Sequence, residues 1–378
     1  MIMLLAEEKI EKLTPPEISP STIAKKVKST RPMREGCFNI SAEDFHGKNG
    51  IKKIIHCYGH GGSGWTTLWG SVGKALRIFQ STGPDPKKKV RIIGSGCIGL
   101  TSAIELARLG YQIVGITTKE LWDIPSWHAA GYFALVSIKT SPEEEDMDRI
   151  GEETFKTYQM IDQGLHPYIS KDALRFIPVY SSHDTDSGVE ALEEKGLIPP
   201  KERVTLDFGN GVRHPHFWKF MTYFLDTTKL MKQFKTEVSK LHIPIEVGAV
   251  NSFDELAEEV IFDCSGMGGR ELNQDAKMIP VRGHLVMTNE LAGSEHMNYM
   301  IYTRVVQDGK DEYVYMFPKS VAVFSASEEI ACGGVLGGTF ISDTDQLSPA
   351  ELEKLDELEF KRMLDRNCMF FYGRPYRD

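Results

Sequence analysis

One run of residues constrains this fold more than any other. Val90-Arg91-Ile92-Ile93 is a short β-branched segment, Gly94-Ser95-Gly96-Cys97-Ile98-Gly99 follows at once, and Leu100 to Leu109 is Ala/Leu-rich and closes at Gly110. The spacing predicts a strand, a tight turn, a helix with its stop and a second strand over Tyr111–Ile116, a βαβ unit. Gly94 and Gly96 permit a tight turn whose backbone approaches a pyrophosphate, together with Ser95, Cys97 and Ile98 between and beyond them. Gly99 lets the helix pack close to the strand, and the helix N-terminus offers N–H groups to an anion. An acidic residue should end the second strand and bind ribose, but Ile116 is followed by Thr117, Thr118 and Lys119. The threonine hydroxyls, Thr118 above all, are the stand-ins, and Glu120 is the nearest carboxylate.

A chain of 378 residues exceeds what one core usually supports, so two packed domains are expected. The formal net charge of −9 leaves no basic stripe for phosphates and argues against nucleic-acid binding. No apolar run approaches the ~20 residues of a membrane span, and Met1–Leu5 is too short for a signal-peptide core, with Glu7 and Glu8 following. The six cysteines, Cys37, Cys57, Cys97, Cys264, Cys332 and Cys368, show neither CxxC nor metal-ligand pairing. Reduced thiols, a cytoplasmic location and no metal site are the expectations. The ending Tyr376-Arg377-Asp378 is not a peroxisomal address.

Upstream, residues 6–30 read as a charged lead-in and a Pro-rich segment, Thr14 to Pro20. A strand over Ile51–Tyr58, a turn Gly59-His60-Gly61-Gly62-Ser63-Gly64 and a helix over Trp65–Phe79 follow, then a linker by composition, 81–89 (STGPDPKKK). Downstream, Glu152–Gln163 and Phe217–Phe234 read as helices, Arg203–Phe208 as a strand, and Glu259–Cys264 as a strand ending in Ser265-Gly266-Met267-Gly268-Gly269. Arg282–Thr288, Tyr313–Phe317 and Ala331–Phe340 read as antiparallel strands, and Ser348–Phe371 as a long helix opened by Ser-Pro-Ala-Glu.

Together these motifs resemble the D-amino-acid oxidase family of FAD-dependent oxidases, from Arg31 to about Tyr372. GSGCIGL at 94–100 resembles the family's FAD fingerprint, His128-Ala129-Ala130-Gly131-Tyr132 its second flavin-contacting loop, and IFDCSG at 261–266, with Ser265 and Gly266, its later turn over the cofactor. Thr30–Gly36 (TRPMREG) is similar to its arginine-bearing substrate strand, and Ile55–Thr66 (IHCYGHGGSGWT) to its last glycine loop. The family carries those last two near its C-terminus; here they precede the fingerprint, so the chain reads as circularly permuted, with 81–89 as the joining linker.

The resemblance implies an α/β fold: a Rossmann-like FAD-binding domain over 37–135 and 206–276, and an antiparallel-sheet substrate domain over 1–36, 136–205 and 277–378. It implies non-covalent FAD held by the three motifs above (Ala129, Ala130 and Gly131 in the second) and by Gly61, Gly62, Gly64, Trp65 and Thr66. Arg31 is implied as the fork that clamps a substrate carboxylate, Tyr315 as a second carboxylate ligand and the Gly62 carbonyl as acceptor for the amine. Arg34 is the alternative arginine, with a structural ion pair as its other reading, and His60 reads as a structural hydrogen-bonding residue. The family's other active-site tyrosine falls on Asp311, where Tyr313 or Tyr302 could fill the space, and Arg304 is a candidate cation for acidic substrates. The implied reaction takes a D-amino acid and O2 to the 2-oxo acid, ammonia and H2O2, by hydride transfer from Cα to flavin. The alternatives are a flavin-dependent amino-acid dehydrogenase, a glycine- or sarcosine-type oxidase, and a flavin-binding protein with impaired turnover. An NAD-dependent dehydrogenase explains neither the arginine strand nor the late glycine loop. A homo-oligomer is possible on sequence grounds.

Overall fold

The computed structural model describes every residue except 1–7, 49, 130, 137–143, 183–186, 290–296, 320, 324–328, 332, 343 and 378. Its smaller sheet has six strands in the order Ile245–Val247, Gln112–Thr118, Lys89–Ile93, Val260–Asp263, Gly50–Tyr58, Asn39–Gly47. The first five are parallel, and only the hairpin between the last two is antiparallel. Parallel strands release their chains at one shared edge, so the glycine turns after Tyr58, Ile93 and Asp263 converge there. The helix Cys97–Arg108 opens on Gly96 and ends before Gly110, whose φ of +90° an L side chain rarely adopts.

The larger sheet has ten strands and is mostly antiparallel. The long strand Ile23–Arg34 forms its edge and pairs antiparallel with Met278–Thr288, placing Arg31 opposite Val281. Lys310–Phe317 pairs with Met300–Gln307 on one side and Gly334–Gly337 on the other. One core runs between the sheets: Ile55, Ile92 and Leu100 pack in the same buried cluster as Leu285, Tyr315 and Phe317. The helix Pro349–Tyr372 covers the other face of the large sheet through Phe360, Met363 and Leu364, and Ser348 with Glu351 closes the expected capping box at its start.

Four expectations are corrected. Phe217–Phe234 is not one helix: Arg213–Leu225 is a strand paired along its length with Leu174–Ser182, and a helix begins at Thr227 behind the cap Asp226. Its aromatic run suits either period, and the neighbouring strand decided the outcome. Consequently Arg213–Leu225 and Glu202–Asp207 belong to the large sheet, which moves 206–225 out of the expected FAD-binding segment. Ala331–Phe340 is not one strand either: Glu329–Ala331 pairs with Val321–Val323, whereas Gly334–Gly337 joins the large sheet and ends where Gly338 turns at φ +133°. Finally, the lead-in contributes a strand, Lys9–Lys12, parallel to Glu202–Asp207. The described cysteines are all free thiols, and no described helix is long and apolar enough to cross a membrane.

Candidate active site

The three glycine turns and the arginine strand line one continuous cavity of about 1050 Å³. The fingerprint forms part of its wall. Gly94 takes φ +97°, and a Cβ there would stand 2.3 Å from the Cys264 carbonyl oxygen, so only glycine lets the two turns touch. Gly94, Ser95, Gly96, Cys97 and Ile98 line the cavity, whereas Gly99 sits behind them where helix meets strand. The Cys97 N–H donates to Ser126 Oγ at 3.0 Å, so one of the N–H groups expected to face an anion has a protein partner. Burial pushes the Cys97 thiol up to about 11.

The threonines that end the second strand are bound into the protein. Thr118 lines the cavity, but its hydroxyl accepts from Ser95 Oγ at 3.0 Å and donates to the Glu120 carbonyl at 2.9 Å. Glu120 Oε1 in turn accepts the N–H groups of Leu121, Trp122 and Asp123 at 2.7, 2.9 and 3.4 Å, and these bonds hold its carboxyl below the usual range. These side chains therefore first build the loop that frames the cavity.

Ala129 and Gly131 also line the cavity, and Ala130 lies outside the described residues. The buried Lys319 ammonium holds this loop through the carbonyls of Trp127 and Ala129 at 3.2 and 3.1 Å and the Thr227 hydroxyl at 2.8 Å. Ser265 and Gly266 line the cavity too, with the Ser265 N–H donating to buried Asp263 at 3.1 Å. Asp263 also meets His56 at 3.1 Å and Asn273 at 2.7 Å. Burial opposes the charge on His56, yet Asp263 and Glu43 outweigh it and raise the imidazole above its ordinary value.

The last glycine loop ties the two sheets together. Gly61 N–H donates to the Pro32 carbonyl at 2.8 Å, and His60 bridges Met33 of the arginine strand. Gly61, Gly62, Gly64, Trp65 and Thr66 all line the cavity. The helix behind them starts at Leu68, three residues later than expected, after the Thr67 cap.

Arg31 also lines the cavity and lies between Gly283 and Phe340. A Cβ on Gly283 would meet the Arg31 guanidinium at 2.4 Å, and the guanidinium carbon stands 4.2 Å from the Phe340 ring centre. Arg31 Nη1 donates to the Thr339 carbonyl at 3.0 Å. Tyr315 is buried against Gly337; burial pushes its hydroxyl up and the facing Arg31 moderates the push. Arg34 instead forms the structural pair, at 2.7 Å from Asp275. Asp311 is exposed and meets Arg304 at 3.4 Å, which takes Arg304 away from the cavity; Tyr302 lines it and stacks on Tyr313 at 5.5 Å.

The chain matches the family model described as FAD dependent oxidoreductase over residues 89–368, about three quarters of its length. The chain belongs to this family. Similar solved structures include glycine oxidase from Bacillus cereus, 14% identical, covering 77% of this chain and 81% of that one, with a TM-score of 0.44. The L-amino acid deaminase from Proteus vulgaris is 12% identical, covering 68% and 63%, with a TM-score of 0.42. The iminodiacetate oxidase from Chelativorans sp. is 13% identical, covering 75% and 79%, with a TM-score of 0.44.

The cavity suits the FAD that membership of this family of oxidoreductases implies. Gly94 gives the close backbone approach that a pyrophosphate needs, Gly96 opens the helix without a side-chain cap, and the volume exceeds the ~300–1,000 Å³ of ordinary ligand pockets. The sequence reading missed Ser126, Phe340, Lys319 and Thr339. No local signal marks them, because each acts on a partner far along the chain.

His60 departs from its expected role. Its ring stacks on Phe38 at 4.5 Å, its Nε2 has no hydrogen-bond partner among the described residues, and burial pushes its pKa down to about 3. Folding therefore keeps His60 neutral where the unfolded chain binds a proton, between about pH 6.5 and 3. Its contribution is fully present above pH 6.5 and falls as pH drops through that window, by up to ~1.4 kcal/mol per pH unit. His60→Phe should flatten the acid limb of a plot of unfolding free energy against pH. An unchanged slope would show that other groups set the acid limb.

Proposed function

We propose that this chain oxidises a D-amino acid to the 2-oxo acid and ammonia, with O2 as final acceptor giving H2O2. The observation that carries the reading is the Arg31 guanidinium, set against Gly283 and Phe340 and facing Tyr315, in the same cavity as the dinucleotide turn. Non-covalently bound FAD supplies a hydride acceptor. The protein's tasks are then to fix the carboxylate, place the amine and exclude water. Arg31 offers a planar fork that matches a carboxylate, and Tyr315 adds a hydroxyl beside it. The Gly62 carbonyl accepts from the amine, whose own lone pair makes a separate base unnecessary. Tyr302, Phe317 and Leu285 present apolar walls, and Arg304 pairs elsewhere, which favours neutral side chains over acidic ones.

We also propose a circularly permuted family order. In its support, the Tyr372 hydroxyl at the end of the long helix donates to the Pro16 carbonyl at 2.6 Å, so that helix end lies against the segment leading into the arginine strand.

The test is anaerobic mixing of the flavin-loaded protein with paired D- and L-amino acids, followed by flavin absorbance. Neutral D-amino acids should bleach it and their L-enantiomers should not. Bleaching by L-enantiomers alone, or only by glycine and N-alkyl glycines, would overturn the D-amino-acid assignment; no bleaching by any of them would leave a flavin-binding protein. Oxygen uptake compared with dye reduction separates oxidase from dehydrogenase.

A further inference from the structure

We propose that Thr339, pinned by a buried His284–Asp356 pair, is the positioning residue that aims Arg31 at the substrate carboxylate; this rests on Arg31 being the clamp. The strand Met278–Thr288 presents alternate residues to opposite faces. Gly283 faces the cavity and accommodates the Arg31 guanidinium, while His284 faces the long helix. There His284 Nε2 lies 2.9 Å from Asp356 Oδ1, and Asp356 also takes Arg282 at 2.6 Å and Lys28 at 3.1 Å. On its other side, His284 Nδ1 lies 2.9 Å from Thr339 Oγ1, which also accepts the His284 backbone N–H at 2.7 Å.

These contacts assign the tautomer. Nε2–H donates to the carboxylate, so Nδ1 accepts the Thr339 hydroxyl proton. Burial, with Arg282 and Arg31 nearby, lowers the His284 pKa despite Asp356, in keeping with a neutral ring. The Thr339 hydroxyl is held twice and cannot rotate. The same residue's carbonyl accepts from Arg31 Nη1 at 3.0 Å, and its neighbour Phe340 covers the guanidinium. His284, Thr339 and Asp356 are all buried, which strengthens each bond and makes a slack one costly. A hydrogen-bonded chain thus runs from the long helix through His284 and the Thr339 hydroxyl and carbonyl to Arg31.

The test uses flavin-loaded protein and benzoate, a carboxylate with no oxidisable Cα–H, with Kd read by calorimetry beside KM and kcat for a D-amino acid. Thr339→Val keeps shape and carbonyl but frees it from His284. Kd and KM should rise about tenfold with kcat changed less than about threefold, and Thr339→Ser should restore both. His284→Gln carries the same test if Thr339→Val does not fold, with Kd raised at least about threefold. If Arg31→Leu leaves benzoate affinity intact, the clamp reading itself fails. If Arg31→Leu abolishes binding while Thr339→Val and His284→Gln stay within about twofold, or if they only lower Tm, the positioning role alone is overturned. Equal losses in kcat and affinity that serine does not restore mark general damage and likewise overturn it.

Discussion

Replacing Arg31 by leucine should lower kcat/KM for the amino-acid substrate by roughly a thousandfold while leaving FAD content unchanged. The expected size follows from two charge-assisted hydrogen bonds to one carboxylate, each ~1.5–3 kcal/mol, with a factor of ten per ~1.4 kcal/mol. Most of the loss should fall on KM, because the same fork binds substrate before and during hydride transfer. Flavin content should hold, since the contacts of the Arg31 guanidinium are with Gly283, Thr339 and Phe340 and not with the turn at Gly94–Gly99. Lysine should not rescue: it offers a point charge, not a fork, and cannot occupy the flat space between Gly283 and Phe340. Steady-state kinetics with a flavin-to-protein absorbance ratio make the measurement. Activity within about threefold of wild type, ~0.7 kcal/mol, would remove Arg31 from the site.

Gly99→Ala should yield protein that folds less stably and purifies with little or no FAD. A Cβ at Gly99 would stand 2.0 Å from the Gly94 carbonyl oxygen and 3.0 Å from its carbon, both backbone atoms. Helix and strand must separate, and the atom displaced belongs to the turn that receives the pyrophosphate. Overpacking of this kind costs ~1–3 kcal/mol where side chains can yield, and rigid backbone raises it. Gly73→Ala is the matched control. Its Cβ would meet only side-chain ends, Arg77 Nη1 at 3.3 Å and Glu153 Oε2 at 3.6 Å, and alanine in a helix is favoured over glycine by up to ~1 kcal/mol. Wild-type flavin content and Tm in Gly99→Ala would show that the close packing is not needed for the cofactor.

Local elements were legible where residues near in sequence decide the conformation. The turn at Gly94–Gly99 sits as expected because glycine there permits the positive φ of Gly94 and the bare start of the helix, and the capping box of Ser348 and Glu351 because its hydrogen bonds close within three residues. The aromatic run at Arg213–Leu225 was misread because a strand and a helix both tolerate it, and Leu174–Ser182, some forty residues away, chose the strand. His60 was misread for a similar reason: Phe38, Pro32 and Met33 determine its surroundings, and none adjoins it in the chain.

The sequence by itself determined that a strand, a glycine turn and a helix would follow one another from about Val90, since steric freedom at glycine and helix start and stop signals are local properties. Tertiary structure alone decided what surrounds Arg31. Gly283, Thr339 and Phe340 lie more than 250 residues from it along the chain, and His284 and Asp356 connect to it by hydrogen bonds through Thr339. Strand pairing and burial bring such groups together, and no short-range pattern encodes which distant side chain a buried polar atom will find.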